Sequence, residues 1–117
     1  MSQFLTLSSQ VQACCPTNAE PAIARETASE ISGMLKALAD PNRLQILAII
    51  SSSEDHEVCV CDLTEPLNLT QPTVSHHLAK MVSAGILEKQ KRGTWSWYRL
   101  NSSAWQELAG FFQFTKV

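Results

Sequence analysis

The fold is decided by residues 70–100, TQPTVSHHLAKMVSAGILEKQKRGTWSWYRL. The first half of this stretch predicts a helix, because Thr70 is a good N-cap, Pro72 is tolerated in a first turn and Gly85 suits a C-terminal stop. One side of that helix carries apolar residues that would hold it against the body of the protein: Val74, Leu78 and Met81.

The second half predicts a β-hairpin, with two strands around Arg92-Gly93. Side chains alternate between the faces of a strand, so Trp95 and Trp97 fall on one face and Ser96 and Tyr98 on the other.

Two helices are predicted upstream of this stretch. Between Arg25 and Ala39, apolar residues recur at three- and four-residue steps, which is typical of an amphipathic helix. Asp40 can cap a second helix, and Pro41 suits its first position. The predicted buried face of that second helix is Leu44, Ile46, Leu47 and Ile50.

Two more segments complete the pattern. Residues 58–69, VCVCDLTEPLNL, predict a short helix followed by a turn. Residues 102–114, SSAWQELAGFFQF, predict a last helix with these apolar residues at helical spacing: Trp105, Leu108, Phe111 and Phe112. The order predicts a mainly α protein with a small β-hairpin, arranged as a winged helix-turn-helix.

The chain divides into two regions. Residues 1–21 are rich in polar residues and show no sustained period, so we expect a mobile arm, which carries Cys14 and Cys15. We expect residues 22–117 to form one winged helix-turn-helix domain for DNA binding and dimerisation. No apolar run approaches the ~20 residues of a membrane span, and the N-terminus lacks the features of a signal peptide. The expected location is therefore the cytoplasm, without a membrane partner.

Charge is distributed unevenly. The net charge is −2. The window 76–99 has one anion, Glu88, against five cations, so it carries +4 and the remainder −6. The cations are Lys80, Lys89, Lys91, Arg92 and Arg99. A basic patch on an acidic body predicts one DNA-facing surface.

The residues of that surface divide by chemistry. Gln can pair bidentately with adenine, and Ser or Thr can reach several base edges. Cations farther along the helix and hairpin suit phosphates. The residues predicted to face bases are Gln71, Thr73, Ser75 and His76, and those predicted to face phosphates are Lys80, Lys89, Lys91 and Arg92. His76 and His77 fit polar surface or a satisfied histidine better than a metal site.

Four cysteines remain to be explained. In the cytoplasm thiols stay reduced, so Cys14, Cys15, Cys59 and Cys61 are better candidates for ligands or sensors than for structural disulfides. Thiolates select soft ions, including Zn(II), Cd(II), Pb(II), and trivalent arsenic and antimony. Buried filler and a redox switch are the alternatives.

Three segments, LKALADPNRLQIL, VCVCDLTEPLNLTQPTVSHHLAKMVSAGIL and RGTWSWYRL, resemble the ArsR/SmtB family of metal- and metalloid-responsive repressors. The resemblance covers about residues 30–105. It implies a homodimer joined by its first and last helices and bound to palindromic double-stranded operator DNA until an inducer releases it. The apolar faces around Met34 and Leu38, and around Trp105 and Phe112, are the candidates for that interface.

The resemblance also limits the ions that could act as the inducer. Some members bind zinc on the last helix through Asp and His, but residues 102–117 contain neither, so that site is absent. The Cys59-Val60-Cys61 pattern resembles sensors that place thiols at the start of the DNA-binding motif. As(III) or Sb(III) on three thiolates is the expected inducer, with no obligatory cofactor. The alternative is a cadmium- or lead-responsive repressor that uses all four cysteines.

The backbone of this pair raises its own question, because residues two apart diverge on a helix and share a face on an extended chain. We expect residues 58–63 to be helical without inducer, so that chelation by both thiols would unwind the first turn. Binding by one of them with Cys14 and Cys15 across the dimer is the other possibility.

Functions of other classes fit less well. A thiol enzyme such as a small arsenate reductase needs an anion cradle, and no Gly-rich loop or Arg lies near Cys59 in the sequence. A metal-buffering module would not need the basic hairpin, and a winged-helix interaction protein without DNA binding is the remaining rival. The expected protein is not an enzyme.

Overall fold

The computed structural model describes residues 23–113. Five α-helices and three strands occur there: α1 (Arg25–Leu38), α2 (Pro41–Ser51), β1 (Glu57–Cys59), α3 (Thr64–Leu67), α4 (Gln71–Ser83), β2 (Leu87–Arg92), β3 (Trp95–Leu100) and α5 (Ser102–Phe111). Short 3-10 helices span Glu54–His56 and Val60–Asp62. The predicted arm, 1–21, with Cys14 and Cys15, lies outside the described residues.

Helix α2 begins as its sequence predicts. Asp40 is the N-cap, and its carboxylate accepts hydrogen bonds from the backbone N–H groups of Asn42 at 2.9 Å and Arg43 at 3.2 Å. Pro41 opens the first turn, where its missing N–H costs nothing. Ile46 and Ile50 are fully buried, but Leu44 is 52% exposed, so the prediction that Leu44 belongs to the buried face is wrong. At ~100° per residue, Leu44 lies about 200° around the helix axis from Ile46, on the side of α2 that faces away from the core.

Helix α4 is held by the three apolar residues that the sequence singles out. Val74, Leu78 and Met81 are each fully buried. The chain leaves the helix through Gly85, whose φ of +83° is the left-handed conformation that glycine adopts without strain. Thr70 is the N-cap, although its hydroxyl bonds the Thr73 hydroxyl at 3.0 Å rather than a backbone N–H.

The sheet is antiparallel, with the strand order β1-β3-β2. Strands β2 and β3 form the predicted hairpin, which turns at Gly93-Thr94 because Arg92 pairs with Trp95. Gly93 has a φ of +66°, which suits the first central position of a two-residue hairpin loop. Tyr98 faces the helices and is buried, and Trp95 on the other face is 51% exposed.

The prediction of a short helix over residues 58–69 is wrong in its first half. Glu57–Cys59 is a strand, Val60–Asp62 a 3-10 helix, and only Thr64–Leu67 is α-helical. Val58 pairs with Tyr98, so the free edge of the hairpin takes this segment as a third strand. Tertiary pairing with a distant edge overrides the local pattern here.

The core lies between the helices and one face of the sheet. It includes Ile31, Met34, Leu38, Ile46, Ile50, Leu63, Val74, Leu78, Met81, Leu87, Tyr98 and Leu108. Within residues 23–113, none of the helices has the length and apolar character that crossing a membrane requires.

Candidate nucleic-acid interface and thiol pair

Helices α3 and α4 form a compact helix-turn-helix. Asn68 ends α3 in the left-handed conformation, with a φ of +55°, and its N–H bonds back to the carbonyls of Glu65 and Thr64. Helix α4 begins at Gln71, after only three intervening residues, Asn68, Leu69 and Thr70. This tight turn fixes the start of α4 at the surface, where its first side chains are free to meet a partner.

The polar side of α4 carries the predicted base-facing residues. Gln71, Thr73 and His76 are exposed, and Ser75 is half-buried. Lys80 is exposed one turn beyond His76. Because the first turn of a docked recognition helix lies deepest in the major groove, their order along α4 matches base contact first and phosphate contact later.

A groove runs between α4 and the hairpin, which forms the wing. Its polar lining comes from both sides: Gln71 and Ser75 from the helix, and Lys89, Thr94 and Ser96 from the wing. Tyr98 closes its base. The groove brings two predicted base-facing residues and one predicted phosphate-facing residue onto one concave surface.

The three cations of the wing that are predicted to bind phosphate do not share a face. Lys89 pairs with Tyr98 and Lys91 with Ser96, which puts both lysines on the face nearer α4. Arg92, the next residue, points to the opposite face. These cations are close together in the sequence, but the alternation of side chains along β2 places Arg92 on the opposite face of the sheet from the two lysines.

Arg92 is occupied within the chain. Its two terminal nitrogens donate to the Glu57 carboxylate at 2.8 and 3.0 Å, and its guanidinium carbon lies 4.8 Å from the Trp97 ring centroid. Gln90 Oε1 accepts two further hydrogen bonds from it, at 2.8 and 3.1 Å. The hydrogen bond from Arg92 holds the pKa of the Glu57 carboxyl below its usual range. No sequence signal reveals this pair, because its partners come from strands whose pairing the sequence does not predict.

Cys59 and Cys61 lie side by side. Their Sγ atoms are 2.7 Å apart, with Cys59 buried at the end of β1 and Cys61 exposed on the 3-10 helix. The expectation that Val58–Leu63 is helical, with the two thiols pointing apart, is therefore wrong. The extended backbone of Cys59, with a φ of −85° and a ψ of 148°, turns its side chain toward that of Cys61.

The Cys61 thiol gives up its proton less readily than an ordinary cysteine does. The Cys61 thiol donates to the Cys59 sulfur, and this hydrogen bond, with partial desolvation and the charge of Asp62, raises the pKa of Cys61 to about 11. At neutral pH Cys61 is therefore a neutral thiol, and a thiophilic ion must displace that proton.

The two sulfurs fit one soft ion with a small adjustment. Two thiolates on a tetrahedral ion with ~2.3 Å bonds are about 3.8 Å apart, so the pair must open by roughly 1 Å. In the part of the chain that the structure describes, no cluster of three Cys, His, Asp or Glu side chains surrounds a common point. Further ligands must come from elsewhere, and the predicted ones, Cys14 and Cys15, lie outside the described residues.

His77 has a structural contact that the sequence does not predict. Its Nδ1 accepts a hydrogen bond from Arg43 Nε at 3.1 Å, and Arg43 Nη1 donates to the Ala37 carbonyl at 3.2 Å. The same nitrogen lies 3.9 Å from Asp40 Oδ2, which is too far for a hydrogen bond. His77 thus ties α4 to the corner between α1 and α2, which fits the reading of a satisfied histidine.

Comparison with known proteins identifies one family of regulatory proteins and two similar regulators. Residues 40–89 match the sequence model of the bacterial regulatory proteins of the arsR family. An HTH-type transcriptional regulator from Methanocaldococcus jannaschii is 40% identical over 71% of this chain and 88% of its own length. The arsenical resistance operon repressor of Staphylococcus aureus is 38% identical over 68% of this chain and 73% of its own.

A solved structure shares the fold. The homodimeric winged helix-turn-helix DNA-binding domain from Mycobacterium bovis superposes with a TM-score of 0.62 at 24% identity, over 79% of this chain and 86% of that one.

Proposed function

The chain belongs to the arsR family of bacterial regulatory proteins, and from this premise we propose that it is a homodimeric repressor that trivalent arsenic or antimony releases from operator DNA. The family consists of DNA-binding transcriptional regulators, so the prediction that this protein is not an enzyme is confirmed. We propose the identity of the inducer, the binding to an operator, and the residues that contact each of them.

The observation that carries the proposal is the adjacency of two thiols to the DNA-binding motif. Cys59 and Cys61 bring their sulfurs within 2.7 Å of each other, and α3 of the helix-turn-helix begins at Thr64. A soft ion bound there acts on the chain immediately before that motif. This chain is similar to the arsenical resistance operon repressor of Staphylococcus aureus, and that similarity supports a metalloid as the ion.

Three thiolates suit trivalent arsenic, whose lone pair takes the fourth direction. The proposed ligands are Cys59 and Cys61 with at least one of Cys14 and Cys15, from the same chain or from the partner. Opening the sulfur pair shifts the start of α3 and with it α4. A coupling of about 1–3 kcal/mol per site, which is a change of about 5- to 150-fold in affinity, is typical of such linkage.

On DNA, α4 lies in the major groove in our proposal. Gln71, Thr73, Ser75 and His76 read base edges, and Lys80, Lys89 and Lys91 bind phosphates. Arg92 can join them only by leaving Glu57, because four of its five N–H groups are already bonded within the chain.

The proposed dimer forms through α1 and α5. An apolar groove lies between α5 and the α1–α2 region, and its lining includes Leu35, Leu44, Leu47, Trp105, Leu108 and Phe112. Leu44 and Phe112 are about half exposed, an unfavourable state for large apolar side chains unless a second copy covers them. Met34 and Leu38, the residues named from the sequence, are buried in the chain's own core.

The proposal is tested by fluorescence anisotropy of the reduced protein on DNA from upstream of its own gene. Arsenite, antimonite, cadmium, lead and zinc are each added to the preformed complex. We expect arsenite and antimonite to release the DNA at concentrations where zinc does nothing. Release by cadmium or lead alone would replace the metalloid with a four-thiol metal, and no release by any of them would remove the inducer role.

Cysteine variants locate the site. We expect Cys61→Ser to keep DNA affinity and lose the response to arsenite, and the double variant Cys14→Ser/Cys15→Ser to weaken that response. Full arsenite induction of Cys61→Ser would exclude chelation by the Cys59/Cys61 pair.

A further inference from the structure

The Glu57–Arg92 pair is placed to control DNA binding. Within residues 23–113 it is the one contact of a Lys or Arg with a carboxylate inside 4 Å. It is bidentate, and the Glu57 side chain is only 15% exposed. The tip of the wing therefore holds its arginine in a fixed position, while Lys89 and Lys91 remain exposed.

The carboxylate occupies the place that a phosphate would take. The guanidinium fork binds carboxylate and phosphate oxygens with the same two-pronged geometry. Glu57 fills both prongs, Gln90 takes two further N–H bonds, and Trp97 lies against the guanidinium. A phosphate can reach this fork only by displacing Glu57.

The pair also crosses the sheet. Glu57 is on β1 and Arg92 is at the end of β2, with β3 between them. On this face Cys59 of β1 lies opposite Trp97 of β3, and the Arg92 guanidinium lies over the Trp97 ring. The three side chains therefore form one layer on the same face of the sheet. The contact that holds Arg92 is thus supplied by the strand that carries Cys59.

We propose that Glu57 acts as an internal substitute for a DNA phosphate, which withholds Arg92 from DNA and lowers the affinity of the repressor. Arg92 is a latent phosphate contact. The proposal rests on the DNA-binding function proposed above and identifies a residue, Glu57, that sets its strength without touching DNA.

The test is a double-mutant cycle on DNA affinity with Glu57→Gln, Arg92→Gln and the combined variant. The matched control is Glu88→Gln, which removes the same charge from an exposed position on β2 of the same sheet. Affinities are measured by anisotropy on a labelled random-sequence duplex and on DNA from upstream of the chain's own gene, from 50 to 200 mM salt. Circular dichroism checks that each variant is folded.

We expect Glu57→Gln to tighten binding to both duplexes roughly two- to fivefold at low salt, the range of one exposed ion pair. The logarithmic salt slope should steepen by about 0.9, the value for one added phosphate contact. The gain should vanish when Arg92→Gln is combined with Glu57→Gln, and Arg92→Gln alone should change affinity little.

Three outcomes would overturn the inference: a gain no larger than that of Glu88→Gln, a gain that persists without Arg92, or an unchanged salt slope. The first two would show a general charge effect, and the third would show that removing the Glu57 carboxylate adds no phosphate contact. If the wild-type chain bound neither duplex at 50 mM salt, the proposed function would fail instead, so the two failures are distinguishable.

Discussion

At the residue scale, the adjacent histidines have separate environments. His76 is exposed on the polar side of α4, whereas His77 accepts a hydrogen bond from Arg43 that ties α4 to the corner between α1 and α2. Two identical side chains in consecutive positions thus suit different tasks, one for contact with a partner and one for the fold.

We expect His77→Ala to lower the free energy of unfolding by about 1 kcal/mol, because the Arg43 Nε–H loses its acceptor in a partly buried site. His76→Ala should change stability by less than ~0.5 kcal/mol and should weaken operator binding. Urea denaturation and anisotropy measure the two quantities. Equal stability losses in the two variants would contradict the assignment.

The protonation of the thiol pair distinguishes the two classes of inducer. The pKa of Cys61 is raised to about 11, so its thiol is neutral over the physiological range. Arsenite binds as As(OH)₃. Each thiol that binds replaces one hydroxide, which leaves as water with the thiol proton, so no proton is released to the solution. Cadmium enters as a dication and releases a proton for each thiol.

We expect apparent cadmium affinity to rise about tenfold per pH unit for each protonated thiol that binds, between pH 6 and 8. Arsenite affinity should stay nearly constant over the same range. Calorimetry in two buffers of different ionisation enthalpy counts the protons directly. Uptake of one or more protons with arsenite would show that the thiols are ionised before they bind.

At the element scale, helices α1, α2, α4 and α5 follow their sequence signals, because caps, apolar periods and terminal glycines act within a few residues. Strand β1 does not follow its signal. Residues 57–59 are too few to form a strand alone, and the edge of β3 supplies the hydrogen bonds that make them one. The sequence pattern around Cys59 and Cys61 therefore misleads at the point where the site lies.

Glycines in two elements give a matched test. Gly85 has a φ of +83°, Gly33 lies inside α1, and a Cβ would meet no atom within 4 Å at either position. We expect Gly85→Ala to destabilise the protein by about 1–2 kcal/mol through backbone strain. Gly33→Ala should stabilise it by about 0.5–1 kcal/mol, because alanine is the better helix former. Denaturation at equal protein concentration measures both, and stabilisation by both would contradict the left-handed turn after α4.

At the scale of the whole molecule, two surfaces have opposite character. The groove between α4 and the wing is lined by a mixture of polar and apolar side chains and contains Lys89, whereas the groove between α5 and the α1–α2 region is apolar. A dimer through the apolar groove leaves the α4 surface free on each protomer. Two copies of α4 can then address two half-sites, as a palindromic operator requires.

We expect Trp105→Glu to convert the protein from a dimer to a monomer of 12.9 kDa, because the charge falls in the apolar groove. The control is Trp95→Glu, since Trp95 is likewise exposed but lies on the wing. Size-exclusion chromatography with light scattering gives the mass. A folded Trp105→Glu variant that remained dimeric would place the interface elsewhere.

The sequence by itself determined the helices, the hairpin, the winged helix-turn-helix order and the thiol and basic residues, because each of these signals lies within one local segment. The tertiary structure decided how those residues meet. Cys59 is a strand residue because it pairs with Trp97, and Arg92 is occupied because Glu57, thirty-five residues away in sequence, lies across the sheet from it. Such pairings depend on which sheet edge is free in the folded chain, and no local pattern of residues records that.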